Sequence, residues 1–257
     1  MAKLVTTVDS SRFVLICDHL GSNCLPLIQS LIHNRLKQLN VNMVCIENTS
    51  DIYLSSFRKP MTDGIRTEIK TIDFFAKYHT IDRNLSQELI QSLVDLSDES
   101  IILIDSLTPI LLTDSIYEIS RLLTQLSNRF RQLVCVLHVD CHSQYICESI
   151  EHLSHSVIHL TTKTDKCSDN CFKAIIRQRK AHRKTHFSVK QSMEFFTISD
   201  FSINYVKDNE KQELSTKTGQ SSSGDKSTDP THNLPFNLSL KDTELEAKNS
   251  LILPYIK

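Results

Sequence analysis

The sequence predicts an α/β fold, a mostly parallel sheet flanked by helices, on two observations. Short apolar runs rich in β-branched residues recur at 13–17 (FVLIC), 43–46 (MVCI), Ile101–Ile104, 133–137 (LVCVL) and 157–160 (VIHL). Runs that are apolar at every position, rather than at alternate ones, belong to strands covered on both faces. Helical periodicity separates several of these runs, and strands alternating with helices imply βαβ crossovers and a doubly wound sheet. At 257 residues the chain is long enough for one such domain with a sizeable core and appendages.

The helices follow from apolar stripes. Leu25, Ile28, Ile32, Leu36 and Leu39 form one; Leu85, Leu89, Leu93 and Leu96 a second; Ile116, Ile119, Leu122, Leu123 and Leu126 a third. Beyond Lys163 the texture changes. Residues 172–179 and 185–190 are β-prone with AHRK between them, and 194–206 are β-prone again, so an antiparallel extension at one sheet edge is expected. The domain is therefore placed at 1–206. Residues 207–233 are dominated by Ser, Thr, Gly, Lys and Asp with almost nothing apolar to bury, the composition of a disordered linker. Residues 234–257 regain structure-forming character. Phe236, Leu238 and Leu240 alternate, Thr243 and Glu246 form a capping-box pattern, and Leu251, Ile252, Leu253 and Tyr255 close the chain. An apolar segment beyond a flexible linker either folds back on its own core or docks on a partner. Phe236, Leu238, Leu240, Leu251, Leu253 and Tyr255 are the docking candidates.

The stretch FVLICDHLGSNCLPLIQSLI, a strand, a turn at one glycine and a helix, has the outline of a nucleotide-binding P-loop. A working one reads G-x-x-x-x-G-K-[ST]: glycines let backbone amides curl around phosphate, the lysine neutralises it and the hydroxyl holds magnesium. Here Gly21 is the sole glycine of the turn, and none of the chain's four glycines precedes a lysine. Arg35 lies more than three helical turns downstream, and Pro26 in the first helical turn supplies no N–H. IILID, ending at Asp105, has the form of the magnesium-binding strand of such proteins, and VCVLHVD ends similarly at Asp140, but many parallel strands end in an acid for loop reasons alone. The P-loop is degenerate and no cofactor is expected. The G-x-S-x-G, H-E-x-x-H and G-x-G-x-x-G signatures are absent, and the adjacent Cys141 and His142 do not have the spacing of a thiol enzyme, so no catalytic residue is assigned.

Charge is nearly balanced, with 29 Lys and Arg against 30 Asp and Glu, so bulk charge attracts neither nucleic acid nor membrane. The apolar runs are of strand length, far short of the ~20 residues of a membrane span. The polar start MAKLVTTVDSSR lacks a signal peptide's apolar stretch, and the expectation is a protein of the cytoplasm and nucleus in which the Asn48 and Asn237 sequons are unused. Eight cysteines suit a reducing compartment, and Cys17, Cys45 and Cys135 read as small hydrophobes inside strands. Cys167 and Cys171, with His159 and His182 further off, lack the tighter pairs of a zinc knuckle, so ordinary thiols and no metal are expected. Positive charge is concentrated locally: residues 171–193 contain no acid but carry Lys173, Arg177, Arg179, Lys180, Arg183, Lys184 and Lys190. On a hairpin Lys173, Arg177 and Arg179 share a face, with the tip 180–184 beyond them. Lys173, Arg177, Arg179, Lys180, Arg183 and Lys184 are candidate phosphate contacts, or else a solvated edge that discourages strand-to-strand association.

The emptied P-loop at 18–23, the IILID strand and the tail FNLSLKDTELEAKNSLILPYI together resemble the family of the fifth subunit of the Elongator complex, the tail being the most specific part. The resemblance implies a RecA-like fold and a non-catalytic scaffold role. It also implies partnership with two related RecA-like subunits in a hetero-hexameric ring that joins the catalytic Elongator lobe. That ring binds tRNA and supports wobble uridine modification, which makes the basic hairpin a tRNA-contact candidate. Two alternatives remain open at this level: a divergent ATPase with a composite nucleotide site, and a RecA-paralogue-like DNA repair accessory.

Overall fold

The computed structural model describes residues 3–20, 24–36, 40–55, 69–75, 84–162, 171–183 and 186–206, all within the first of the two units into which the chain divides. In chain order the elements are α1 (Lys3–Ser10), β1 (Phe13–Asp18), α2 (Leu25–Leu36), β2 (Val41–Cys45), α3 (Ser50–Leu54), β3 (Ile69–Asp73) and α4 (Leu85–Ser92). There follow β4 (Ile101–Ile104), α5 (Thr108–Thr113), α6 (Ile116–Arg129), β5 (Gln132–His138), α7 (Gln144–Leu153), β6 (Ser156–Thr162), β7 (Cys171–Arg183), β8 (His186–Ser199) and β9 (Ser202–Tyr205). The linker at 207–233 and the docking candidates Phe236, Leu238, Leu240, Leu251, Leu253 and Tyr255 lie outside the described residues.

The strands of the described residues form one sheet in the order β3-β2-β4-β5-β1-β6-β7-β8-β9. From β3 to β6 every pairing is parallel, and β7, β8 and β9 add antiparallel strands beyond β6. The expected parallel core and antiparallel extension are both present. The tip of the hairpin is shorter than expected: β7 runs on to Arg183 and β8 begins at His186, so 180–183 are strand, with a register irregularity between Ala181 and Arg183.

Successive strand residues point to opposite faces, and both faces are buried. Val14 and Ile16 of β1, Ile101 and Leu103 of β4, and Val134 and Val136 of β5 enter one core with α1 and α2. Phe13, Leu15 and Cys17, Ile102 and Ile104, and Leu133, Cys135 and Leu137 enter the other, with α4, α5, α6 and α7. That division is why the runs are apolar throughout. Strand β3 departs from the pattern: IKTID sits at the sheet edge, its residues only partly covered. Helix α6 starts with a capping box in which Ser115 and Glu118 each bond the other's backbone N–H. Buried Gln132 donates through Nε2 to the carbonyls of Val8 and Ser11 and ties down the end of α1.

The extension shares the first core. Phe172, Ala174 and Ile176 of β7 pack there with Phe196 and Ile198 of β8. Phe172 and Phe196 are directly opposed and stack at 5.5 Å, and Tyr205 tilts against Phe196 at 6.2 Å. Between β8 and β9, Asp200 and Phe201 both take the left-handed conformation, with φ of 47° and 60°. Such values are costly for a bulky residue unless its surroundings impose them. Here Ser30 Oγ on α2 donates to the Phe201 carbonyl at 2.7 Å, and the Phe201 ring stacks on His33 at 5.1 Å.

Truncating Phe196, which has no exposed surface, removes the ring that both Phe172 and Tyr205 contact. Phe196→Ala is expected to cost about 3–5 kcal/mol, read as a lower urea midpoint at unchanged slope.

Candidate functional site: the carboxyl edge of strands β1, β4 and β5

In open α/β sheets ligands are bound beyond the carboxyl ends of the strands. In this sheet β4, β5 and β1 are neighbours. Strand β1 ends at Asp18, β5 ends at His138, and Asp105 follows the last residue of β4. Glu47 comes from the segment after β2.

Asp18 and His138 are register partners on adjacent strands. His138 Nδ1 lies 2.6 Å from Asp18 Oδ1, and Nε2 lies 2.7 Å from Glu47 Oε2. Asp18 is 1% exposed and His138 6%. A neutral imidazole has one N–H and can serve only one carboxylate, whereas the imidazolium serves both. The hydrogen bond to Asp18, then that to Glu47, pushes the His138 pKa up to about 10 against the opposing effect of burial. The same bond from His138 holds the Glu47 carboxyl below its ordinary value, against desolvation and with help from Ser106.

Asp105 has turned to other work. Its buried carboxylate accepts the backbone N–H groups of Ile46 (2.8 Å), Glu47 (3.2 Å) and Asn48 (3.1 Å) and the Tyr53 hydroxyl (3.2 Å). Burial raises its pKa to about 6, and the amide bonds limit the rise. Three successive amides around one carboxylate form an anion nest, of the kind that receives phosphate elsewhere. Asp140, just past β5, accepts the Leu20 N–H with both oxygens at 3.0 and 3.1 Å. The His142 ring, 3.1 Å from Thr108 Oγ1, is pushed down by burial and by the charge of His138. The thiol of Cys24, at the start of α2, is pushed up by burial and by Asp18 beside it. Residues 21–23 of the degenerate loop lie outside the described residues. Arg35 is at the far end of α2, paired with Asp9 of α1 at 2.7 Å, as its distance from the turn implied.

Among the described residues of this edge, four carboxylates, those of Asp18, Glu47, Asp105 and Asp140, stand against the imidazolium of His138. The backbone donors suited to phosphate at 20 and 46–48 are taken by side-chain acids. The sequence reading singled out Asp105 and Asp140 but missed Glu47 and His138, which no spacing rule connects.

The basic hairpin is arranged as its alternation predicted. Lys173, Arg177 and Arg179 share the face opposite Phe172, Ala174 and Ile176. Two of these cations are engaged by α7. Arg177 Nη1 is 3.4 Å from Glu151 Oε2, and the Arg179 guanidinium donates to the His152 carbonyl and meets its Nδ1 at 2.6 Å. Lys180 and Arg183 belong to β7 by backbone. Their side chains, and Lys184 entirely, lie outside the described residues.

The whole sequence, residues 1–257, matches the family described as Elongator subunit Iki1. The chain belongs to the Elongator subunit Iki1 family. A relative, Elongator complex protein 5 of Danio rerio, is 25% identical over 280 residues, covering 100% of this chain and 86% of that one. Among solved structures, the flagellar accessory protein FlaH from Methanocaldococcus jannaschii superposes with a TM-score of 0.57 at 11% identity, over 80% of this chain and 95% of that one. A second solved structure, an ATPase domain, gives 0.50 at 16% identity, over 77% and 86%. These likenesses establish a RecA-like fold for the Iki1-family chain.

Two measurements probe this edge. The His138 pKa is raised in the folded state above its unfolded value of about 6.5. Its contribution to stability is therefore complete below pH ~6.5 and lost as pH climbs through about 10. Urea midpoints should fall across that window, and His138→Gln should flatten the decline. Asp105→Ala leaves three backbone amides without their acceptor and is expected to cost about 2–4 kcal/mol, measured by equilibrium unfolding.

Proposed function

We propose that this chain is a non-catalytic structural subunit of the Elongator assembly. In this reading it joins two related RecA-like subunits in a hetero-hexameric ring that contacts the catalytic lobe, binds tRNA and supports wobble uridine modification. It works in the cytoplasm and nucleus, without a nucleotide cofactor of its own. Family membership supports the place in Elongator. The observation that carries the non-catalytic part is the carboxyl edge. Phosphate binding needs open donors and cations, and there the amides of Leu20 and of 46–48 are spent on Asp140 and Asp105 while His138 is spent on Asp18 and Glu47.

The surface supports a scaffold. Leu20 (61% exposed), Leu112 (69%), Tyr117 (76%) and Tyr145 (71%) are large apolar or aromatic side chains held out to solvent, three of them on α5, α6 and α7. Exposed aromatic residues of this kind are typical interface anchors. Lys173 on the basic face of β7, together with Lys180, Arg183 and Lys184, supplies tRNA contact, and 234–257 docks on a neighbouring subunit.

The full chain co-expressed with its two ring partners is expected to purify as one species of ring mass, with Tyr117→Glu and Leu112→Glu lowering the yield of that species at least several-fold. The full chain alone should hydrolyse ATP no faster than a buffer blank; brisk turnover by pure material would overturn the non-catalytic assignment.

A further inference from the structure

Cys17 precedes Asp18 on β1, and its side chain leaves the opposite face of the sheet, under α7. Cys17 and His159 are register partners on the adjacent strands β1 and β6, so their side chains rise side by side. Glu151 comes down from α7 onto the same spot. The Cys17 Sγ, a Glu151 carboxylate oxygen and a His159 ring nitrogen all lie within 4.8 Å of one another. Cys147 stands one turn before Glu151 on the same buried side of α7. His159 Nε2 is 3.3 Å from Glu151 Oε1, yet this buried nitrogen makes no hydrogen bond. A ring nitrogen and a carboxylate oxygen brought this close without hydrogen-bond geometry stand in the relation that a cation between them would satisfy.

We propose that Cys17, Glu151 and His159 form a zinc-type divalent metal site, with its fourth position open to water or to the neighbouring Cys147. A thiol, an imidazole and a carboxylate are the donor types zinc accepts, whereas magnesium and calcium favour oxygen alone. Zinc bonds of about 2.0–2.3 Å place tetrahedral ligand atoms about 3.3–3.8 Å apart, so small rotamer changes close the cluster. Zinc takes a cysteine as its thiolate, so binding forms the sulfur–metal bond and releases the thiol proton to solvent. Arg177, half-exposed and 3.4 Å from Glu151, pairs with the same carboxylate, so metal loading competes with that ion pair.

No close spacing in the chain marks these donors. Here they come from positions 17, 151 and 159, assembled by β1, α7 and β6.

The full chain, stripped with a chelator, is titrated with Co2+ alone and with Zn2+ alone. Expected are about one ion per chain, a thiolate-to-cobalt absorption band, release of about one proton and a raised melting temperature. Glu151→Gln and His159→Gln, judged folded by circular dichroism, should each weaken Co2+ binding at least tenfold, and the double substitution Cys167→Ser, Cys171→Ser should leave it unchanged. Lack of the thiolate band, Co2+ affinity unchanged from the parent chain in Glu151→Gln or His159→Gln, or loss of binding in the Cys167, Cys171 double variant would each overturn the site.

Discussion

A single buried imidazolium holds the carboxyl edge of this sheet together. Asp18 is almost fully desolvated at the end of the central strand β1, where an unpaired carboxylate would be costly. His138 neutralises it across the β1–β5 register and reaches Glu47 with its other nitrogen. Glu47 is in place because Asp105 gathers the amides on either side of it. Segments at the ends of four strands, β1, β5, β2 and β4, are thus joined through one chain of charge-assisted bonds. Among the described residues of this edge, acids occupy the backbone donors at Leu20 and at 46–48.

The parts of the fold that depend on burial were legible in the sequence. The five strands read as apolar runs are the ones covered on both faces, and all lie between β2 and β6 of the sheet order. Strand β3 escaped because an edge strand needs no such run. Helices α1, α3, α5 and α7 escaped for a related reason: their buried apolar side chains, such as Leu4 and Val8, Tyr53, Ile110, or Cys147 and Ile150, are too few to make a sustained stripe. The hairpin tip was placed too early because AHRK reads as a turn by composition, while pairing with β8 carries the strand through it.

The site was legible only in outline. The missing lysine and glycine are properties of adjacent positions and show in the sequence. The His138 bridge joins residues 120 and 91 positions apart, and the Cys17, Glu151 and His159 cluster draws its members from β1, α7 and β6, elements distant in the chain. Only the sheet order places such residues together. The charges on β7 illustrate the same limit. Alternation assigned Arg177 and Arg179 to one face, but composition had no means of showing that α7 supplies Glu151 and His152 to engage them.

The left-handed turn at Asp200 and Phe201 bears on how the molecule moves. Through Ser30 and His33 it fastens the middle of α2, the helix that follows the degenerate loop, to the tip joining the last two strands. In an enzyme whose phosphate loop responds to its ligand, that helix has to shift. Fastened to the antiparallel wing at its middle, α2 could shift only by breaking the Ser30 and His33 contacts or by carrying the strand pair at the sheet's far margin with it.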